Sequence, residues 1–157
     1  MARKADTPWL SDQQQRNWRA FLGGVTGLMD QLDRELRAAH GLSLSEYEIL
    51  VRLSEAPART LRMAELADQV ALSRSRLTHT VSRLEAADVV RREPCDDDGR
   101  GVQAVLTRRG LGVLRKAADT HVRGVREHLL AHTSADELDA IGDVMERVIT
   151  DLHGKRF

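Results

Sequence analysis

The sequence predicts a mainly α-helical chain with one small β-hairpin. Three observations carry that expectation. Apolar residues recur at steps of three and four through most of the chain. Capping residues stand in front of those runs. Only one pair of short β-favouring stretches occurs, "VVRREP" and "GVQAVL", around the turn-rich "CDDDGR". With 157 residues, 41% hydrophobic and 31% charged, residues 1–157 are expected to form one globular domain with a real core. Aromatics make up only 3%, so that core must come from Leu, Val, Ile, Ala and Met.

The elements follow in order. Ser11 and Gln14 form a capping-box pattern before Trp18, Phe21, Leu22, Val25, Leu28, Met29, Leu32 and Leu36, an amphipathic helix that Gly41 ends. Ser43 and Glu46 repeat the pattern before Tyr47, Leu50, Val51 and Leu53, in a helix that must stop before Pro57. Two short helices follow, separated by "VALS". The first packs through Met63, Leu66, Ala67 and Val70. The second is capped by Ser73 and packs through Leu77, Val81 and Leu84. Together they predict a helix-turn-helix. The hairpin directly after it is then a wing. Thr107 caps a long helix through Leu111, Leu114, Ala118, Val122, Val125 and Leu129. Ser134 and Glu137 open the last helix, where Leu138, Ile141, Met145, Val148 and Leu152 form a seam resembling a coiled coil. Such a seam, with so long a first helix, predicts a homodimer. Residues 1–41 and 108–157 are expected to supply the dimerisation helices around a winged helix-turn-helix lobe at 42–107.

Several function classes lack residues to stand on. The sequence holds no phosphate-binding loop, dinucleotide fingerprint, nucleophile elbow or metal motif, so no enzyme and no cofactor is expected. No apolar run approaches the ~20 residues of a membrane span, and "MARKADTPWL" lacks a signal-peptide core. The single cysteine gives no disulfide framework, and a cytoplasmic protein is expected. The net charge is zero, but totals hide distribution. Residues 71–92 carry Arg74, Arg76, Arg83, Arg91 and Arg92 against only Glu85 and Asp88.

With Leu77, Val81 and Leu84 inward, helical geometry turns Ser75, His79 and Ser82 outward, flanked by Arg76 and Arg83 on one side and Thr78 on the other. Arg74 sits in the first turn, where the helix dipole favours an anion, and a DNA phosphate there would relieve the conflict. The expected DNA-contacting residues of this helix are Ser73, Arg74, Ser75, Arg76, Thr78, His79, Ser82 and Arg83. In the wing, Gly99 and Gly101 let the backbone turn sharply, and Arg100 offers a cation to the minor groove. Asp98 is placed to hold the Arg100 guanidinium by a charge-assisted contact. The partner is therefore double-stranded DNA. The alternative is a winged-helix module that mediates protein contacts without reading DNA. Steep salt dependence distinguishes the two.

These residues resemble the multiple antibiotic resistance regulator (MarR) family of bacterial winged-helix repressors. The resemblance covers nearly the whole chain and rests on "GLSLSEYEILVRL", "ELADQVALSRSRLTHTVSRLEAADVV" and "DGRGVQAVLTRRG". It implies a homodimer on a palindromic operator, with recognition helices in successive major grooves and wing arginines in the minor groove. It also implies repression relieved by a small, often aromatic effector or by cysteine oxidation. The sequence has His79 and Gly99 where basic residues are usual in the family. The implied ligand cleft lies where the first two helices meet, making Trp18, Phe21 and Tyr47 the candidate ligand residues, with core packing the competing role. Cys95 is expected as an exposed, incidental wing thiol, its reactivity lowered by acidic neighbours. His121, His128 and His132 are expected as exposed histidines, not a zinc site.

Overall fold

A computed structural model of the chain describes residues 8–70, 72–95 and 101–153. Helix α1 (Asp12–His40) opens on the expected capping box. The Ser11 hydroxyl accepts from the Gln14 N–H at 3.2 Å, and the Gln14 side chain accepts from the Ser11 N–H at 2.8 Å. It ends at Gly41, whose φ of +67° lies where glycine alone is unstrained. Helix α2 (Leu44–Glu55) opens on the Ser43–Glu46 box and stops before Pro57. A single 3-10 turn at Pro57–Arg59 leads into strand β1 (Thr60–Arg62).

Strand β1 departs from the expected two-stranded wing. The strands β2 (Val90–Pro94) and β3 (Val102–Leu106) form the hairpin, and β1 pairs antiparallel with the other edge of β3. The sheet therefore has three strands in the order β1-β3-β2. Leu61, opposite Ala104, is the buried residue of β1. Three residues are too few to show an alternating pattern, so "TLR" resembled the start of the helix after it.

Helices α3 (Met63–Gln69) and α4 (Arg74–Ala86) make the helix-turn-helix, and Ser73 caps α4 by accepting from the Arg76 N–H at 3.3 Å. Thr107 caps α5 (Arg108–His128) through the Gly110 N–H at 2.9 Å. After a short turn at Leu130–His132, Ser134 and Glu137 form a third capping box in front of α6 (Ala135–His153).

The core lies between α2, the sheet and the helix-turn-helix. Leu50 and Leu53 of α2 meet Leu66 of α3, Leu77 and Val81 of α4, and Val90 of β2, all fully buried. Each such side chain contributes about 1.5–3 kcal/mol by leaving water. Leu36 of α1 and Leu114 and Ala117 of α5 close the core from the other side. Helices α1 and α5 run antiparallel, tied by His40 to Thr120 at 2.9 Å and by Glu35 to His128 at 2.6 Å.

Two apolar faces find no partner among the described residues. Trp18, Phe21, Leu22, Val25 and Met29 are exposed along the first two-thirds of α1. Ile141, Val144, Val148 and Leu152 are exposed on α6, which packs extensively against no other element.

Gly110 marks the tightest approach. A Cβ there would stand 2.0 Å from the Val89 carbonyl oxygen, so α5 leaves the sheet in close contact with the backbone. Gly110→Ala should lower unfolding free energy by about 2–3 kcal/mol through overpacking. Gly112→Ala meets nothing within 4 Å and should add about 0.5–1 kcal/mol from helix propensity. Urea unfolding of the two variants measures both.

Candidate nucleic-acid interface

The buried stripe Leu77, Val81 and Leu84 fixes the rotation of α4 about its axis. Arg74, Ser75, Arg76, Thr78 and His79 are consequently exposed, with Ser73 at the cap, while Ser82 is half-buried. The helix has no acidic residue in its first turn. The positive end of its dipole and two arginines thus face outward together, an arrangement that attracts an anion.

Hydrogen bonds within the helix divide the polar residues. Thr78 donates to the Arg74 carbonyl at 2.8 Å, and Ser82 donates to the Thr78 carbonyl at 2.9 Å. Their hydroxyl protons are occupied, so they offer oxygens and, for Thr78, a methyl group. Ser75 and His79 keep their polar groups available on the outward stripe.

The arginines divide as well. Arg83 pairs with the buried carboxylate of Glu46 at 3.2 Å, Arg91 with Glu93 at 2.6 Å, and Arg92 with Glu85 at 2.5 Å. The Arg92 Nε–H and backbone N–H also donate to Glu85, at 2.9 and 3.0 Å, and these bonds hold the Glu85 carboxyl below its usual pKa. Arg74 and Arg76 have no carboxylate partner among the described residues. Of the five arginines at 71–92, these two supply the uncompensated positive charge, at the N-terminal end of α4.

A cleft of about 300 Å³ joins this end of α4 to the neighbouring strands. Arg62, Met63 and Ala64 line one wall, Arg74, Leu77 and Thr78 another, and Gly101 and Val102 the third. Arg62 was not expected here. Its only signal was its own charge in "TLRM", and its position beside Arg74 depends on strand β1. The hairpin closes through the Cys95 N–H donating to the Gly101 carbonyl at 2.9 Å. Asp98 and Arg100, the expected wing-tip pair, lie outside the described residues.

The arrangement has counterparts among known proteins. The family model described as "MarR family" matches residues 40–101. A MarR family transcriptional regulator of Streptomyces coelicolor, Sco3205, solved in complex with DNA, is 40% identical with a TM-score of 0.90, over 94% of this chain and 92% of that one. AbsC of the same organism, also a MarR family regulator, is 40% identical with a TM-score of 0.89, over 95% of this chain and 100% of that one. The chain belongs to the MarR family. An HTH-type transcriptional repressor of Mycobacterium tuberculosis adds 32% identity over 111 residues, 71% of this chain and 78% of the relative.

The residues expected to form a MarR-type ligand cleft do not converge within the protomer. Trp18 and Phe21 stack at 6.0 Å between ring centres on the first half of α1, and both are exposed. Phe21 is therefore not a core residue, because none of the described residues covers it. Tyr47 is 7% exposed and lies against the His121 ring at 4.6 Å. His121 is next in sequence to Thr120, the partner of His40, and residues 18 and 40 stand roughly 33 Å apart along α1.

Two other expectations need correction. Cys95 is 5% exposed, because the hairpin ladder continues through its N–H and turns the thiol inward. His128 is paired with Glu35 and His121 is half-buried, so only His132 is exposed as expected.

His121 has a consequence for stability. Burial disfavours its charged form and lowers its pKa from 6.5. The unfolded chain then binds the proton more readily than the folded one, so stability falls as pH drops below 6.5 towards the folded-state value. His121→Phe keeps a ring against Tyr47 and should remove this part of the pH dependence. The loss below about pH 4.5 remains, because Asp33, Glu35, Glu85 and Glu137 have pKa values lowered by folding. Thermal melts between pH 5 and 7 on both proteins check the difference.

Proposed function

We propose that the chain acts as a homodimeric repressor that binds a palindromic operator and is released by a small aromatic effector. Its family makes it a DNA-binding transcriptional regulator, and the other reading, a protein-interaction module without DNA readout, gains no support. The observation that carries the proposal is the first turn of α4, where Arg74 and Arg76 stand beside Ser75 and His79 with no carboxylate partner among the described residues. In this reading Arg74 and the free N–H groups hold a phosphate and His79 meets a base edge in the major groove. Arg62 and the start of β3 flank the same DNA strand. Arg100, held by Asp98, is assigned to the minor groove on the sequence alone.

The dimer is supported by the apolar faces of α1 and α6, too extensive to be left in water by a stable regulator. The effector assignment favours Trp18 and Phe21, which are exposed, over Tyr47, which a ligand reaches only if α2 or α5 moves. The protein itself binds no cofactor in this scheme.

Three variants test the proposal. His79→Ala should relax sequence preference and cost about 1–3 kcal/mol on the best operator. Arg74→Ala should weaken specific and non-specific binding alike and flatten the log–log salt slope by about one. Equal salt slopes in wild type and Arg74→Ala would remove the phosphate role. Deleting residues 134–157 should give a monomer or an aggregate with weak operator binding. A truncated chain that stayed a soluble dimer at micromolar concentration would contradict the dimer assignment.

A further inference from the structure

We propose that Glu46 is a positioning residue for DNA recognition. Through Arg83 it braces the recognition helix against the α1–α2 corner, and Arg83 serves as a strut and not as a phosphate ligand. This rests on the assignment of α4 as the reading helix.

The geometry gives each oxygen of Glu46 a separate task. Oε2 accepts from the Ser43 N–H and from the Ser43 hydroxyl, both at 2.8 Å, which completes the cap of α2. Oε1 faces the Arg83 guanidinium at 3.2 Å. The side chain of Glu46 is only 5% exposed, so these partners take the place of water around it. The corner below it is tied to α1, because Asp33 accepts the Leu44 N–H at 2.8 Å and pairs with Arg37.

Glu85, two residues beyond Arg83, ties the other side of the same turn to β2 through the Arg92 side chain and backbone N–H. Leu84, between them, is buried. The last turn of α4 is thus fixed in depth by an apolar side chain and laterally by two ion pairs pulling to α2 and to β2. A tilt of about 5° there would move Arg74 by about 1 Å, over the roughly 13 Å of helix between them. A phosphate clamp and a base contact made by one rigid helix tolerate little such movement.

The test compares Glu46→Gln, Arg83→Ala and their combination. Glutamine serves as well as glutamate in a capping box, so Glu46→Gln keeps the start of α2 and removes the charge opposite Arg83. The probes are the DNA segment upstream of the chain's own coding sequence and a scrambled duplex of equal length, each titrated over a range of salt. Each single variant should lose roughly tenfold in operator affinity, within the range of couplings between contacting residues. Binding to the scrambled duplex and the salt slope should not change, and the double variant should be little worse than either single one. A purely structural role would lower the melting temperature and leave the ratio of operator to scrambled affinity intact.

A phosphate contact by Arg83 predicts the opposite signs. Glu46→Gln would free the guanidinium and tighten binding to both duplexes, and Arg83→Ala would flatten the salt slope by about one. Either result, or additive losses in the double variant, overturns the proposal. If Glu46→Gln folds poorly, Arg83→Ala gives the same readout with the Ser43–Glu46 cap of α2 still in place, since 60% of the Arg83 side chain is exposed. Arg74→Ala separates the two levels of failure. If it still weakens binding while the Arg83 variants do not, only the strut is wrong. If it has no effect either, the reading helix itself is misassigned.

Discussion

Leu77, Val81 and Leu84 are buried at 1%, 0% and 3% exposure, and the organisation of the interface depends on them. They lock α4 at one rotation against α2 and the sheet, so a short helix with modest intrinsic propensity acquires a fixed outer face. The cost of turning it is the loss of three buried aliphatic side chains, about 1.5–3 kcal/mol each. That energy confines Ser75 and His79 to the surface. It also places the first turn of α4 beside Arg62 and the start of β3, at the loop end of the hairpin.

Charge is arranged to serve the same end. A neutral chain can present a positive face only if its acids are used elsewhere. Glu46, Glu85 and Glu93 do this by neutralising Arg83, Arg92 and Arg91. The exposed one among these pairs, Arg91–Glu93, contributes at most about 1 kcal/mol to stability. The larger effect of the three is to leave Arg74 and Arg76, of the five arginines at 71–92, as the two without a carboxylate partner among the described residues, beside the positive end of the dipole of the helix that carries them. A distributed basic surface would bind any polyanion, whereas a focused one adds most where a phosphate meets a helix end.

Helix boundaries were legible because capping is local. Ser11, Ser43, Ser73, Thr107 and Ser134 each act within three residues of themselves, and each does so in the structure. The face of α4 was legible for the same reason, since helical phase follows from spacing alone. What could not be read depends on distant partners. Strand β1 exists because β3, more than forty residues later, offers it an edge. The Arg83–Glu46 pair spans helices α4 and α2, and nothing in the local run of either residue announces it. Cys95 sits in a segment whose composition suggested a loop, but hairpin pairing extends that far and buries it. Trp18 and Tyr47 share adjacent helices in the sequence, yet the length of α1 separates them.

The exposed faces of α1 and α6 and the reading face of α4 are different in kind, one apolar and one polar and positive. Chemical-shift mapping of the isotope-labelled chain, titrated with the duplex upstream of its own gene, separates them most directly. The account predicts the largest changes at residues 73–79, with Arg62, Gly101 and Val102 next and the outer faces of α1 and α6 little altered. Strong shifts confined to α1 or α6, with residues 73–79 unmoved, would contradict it.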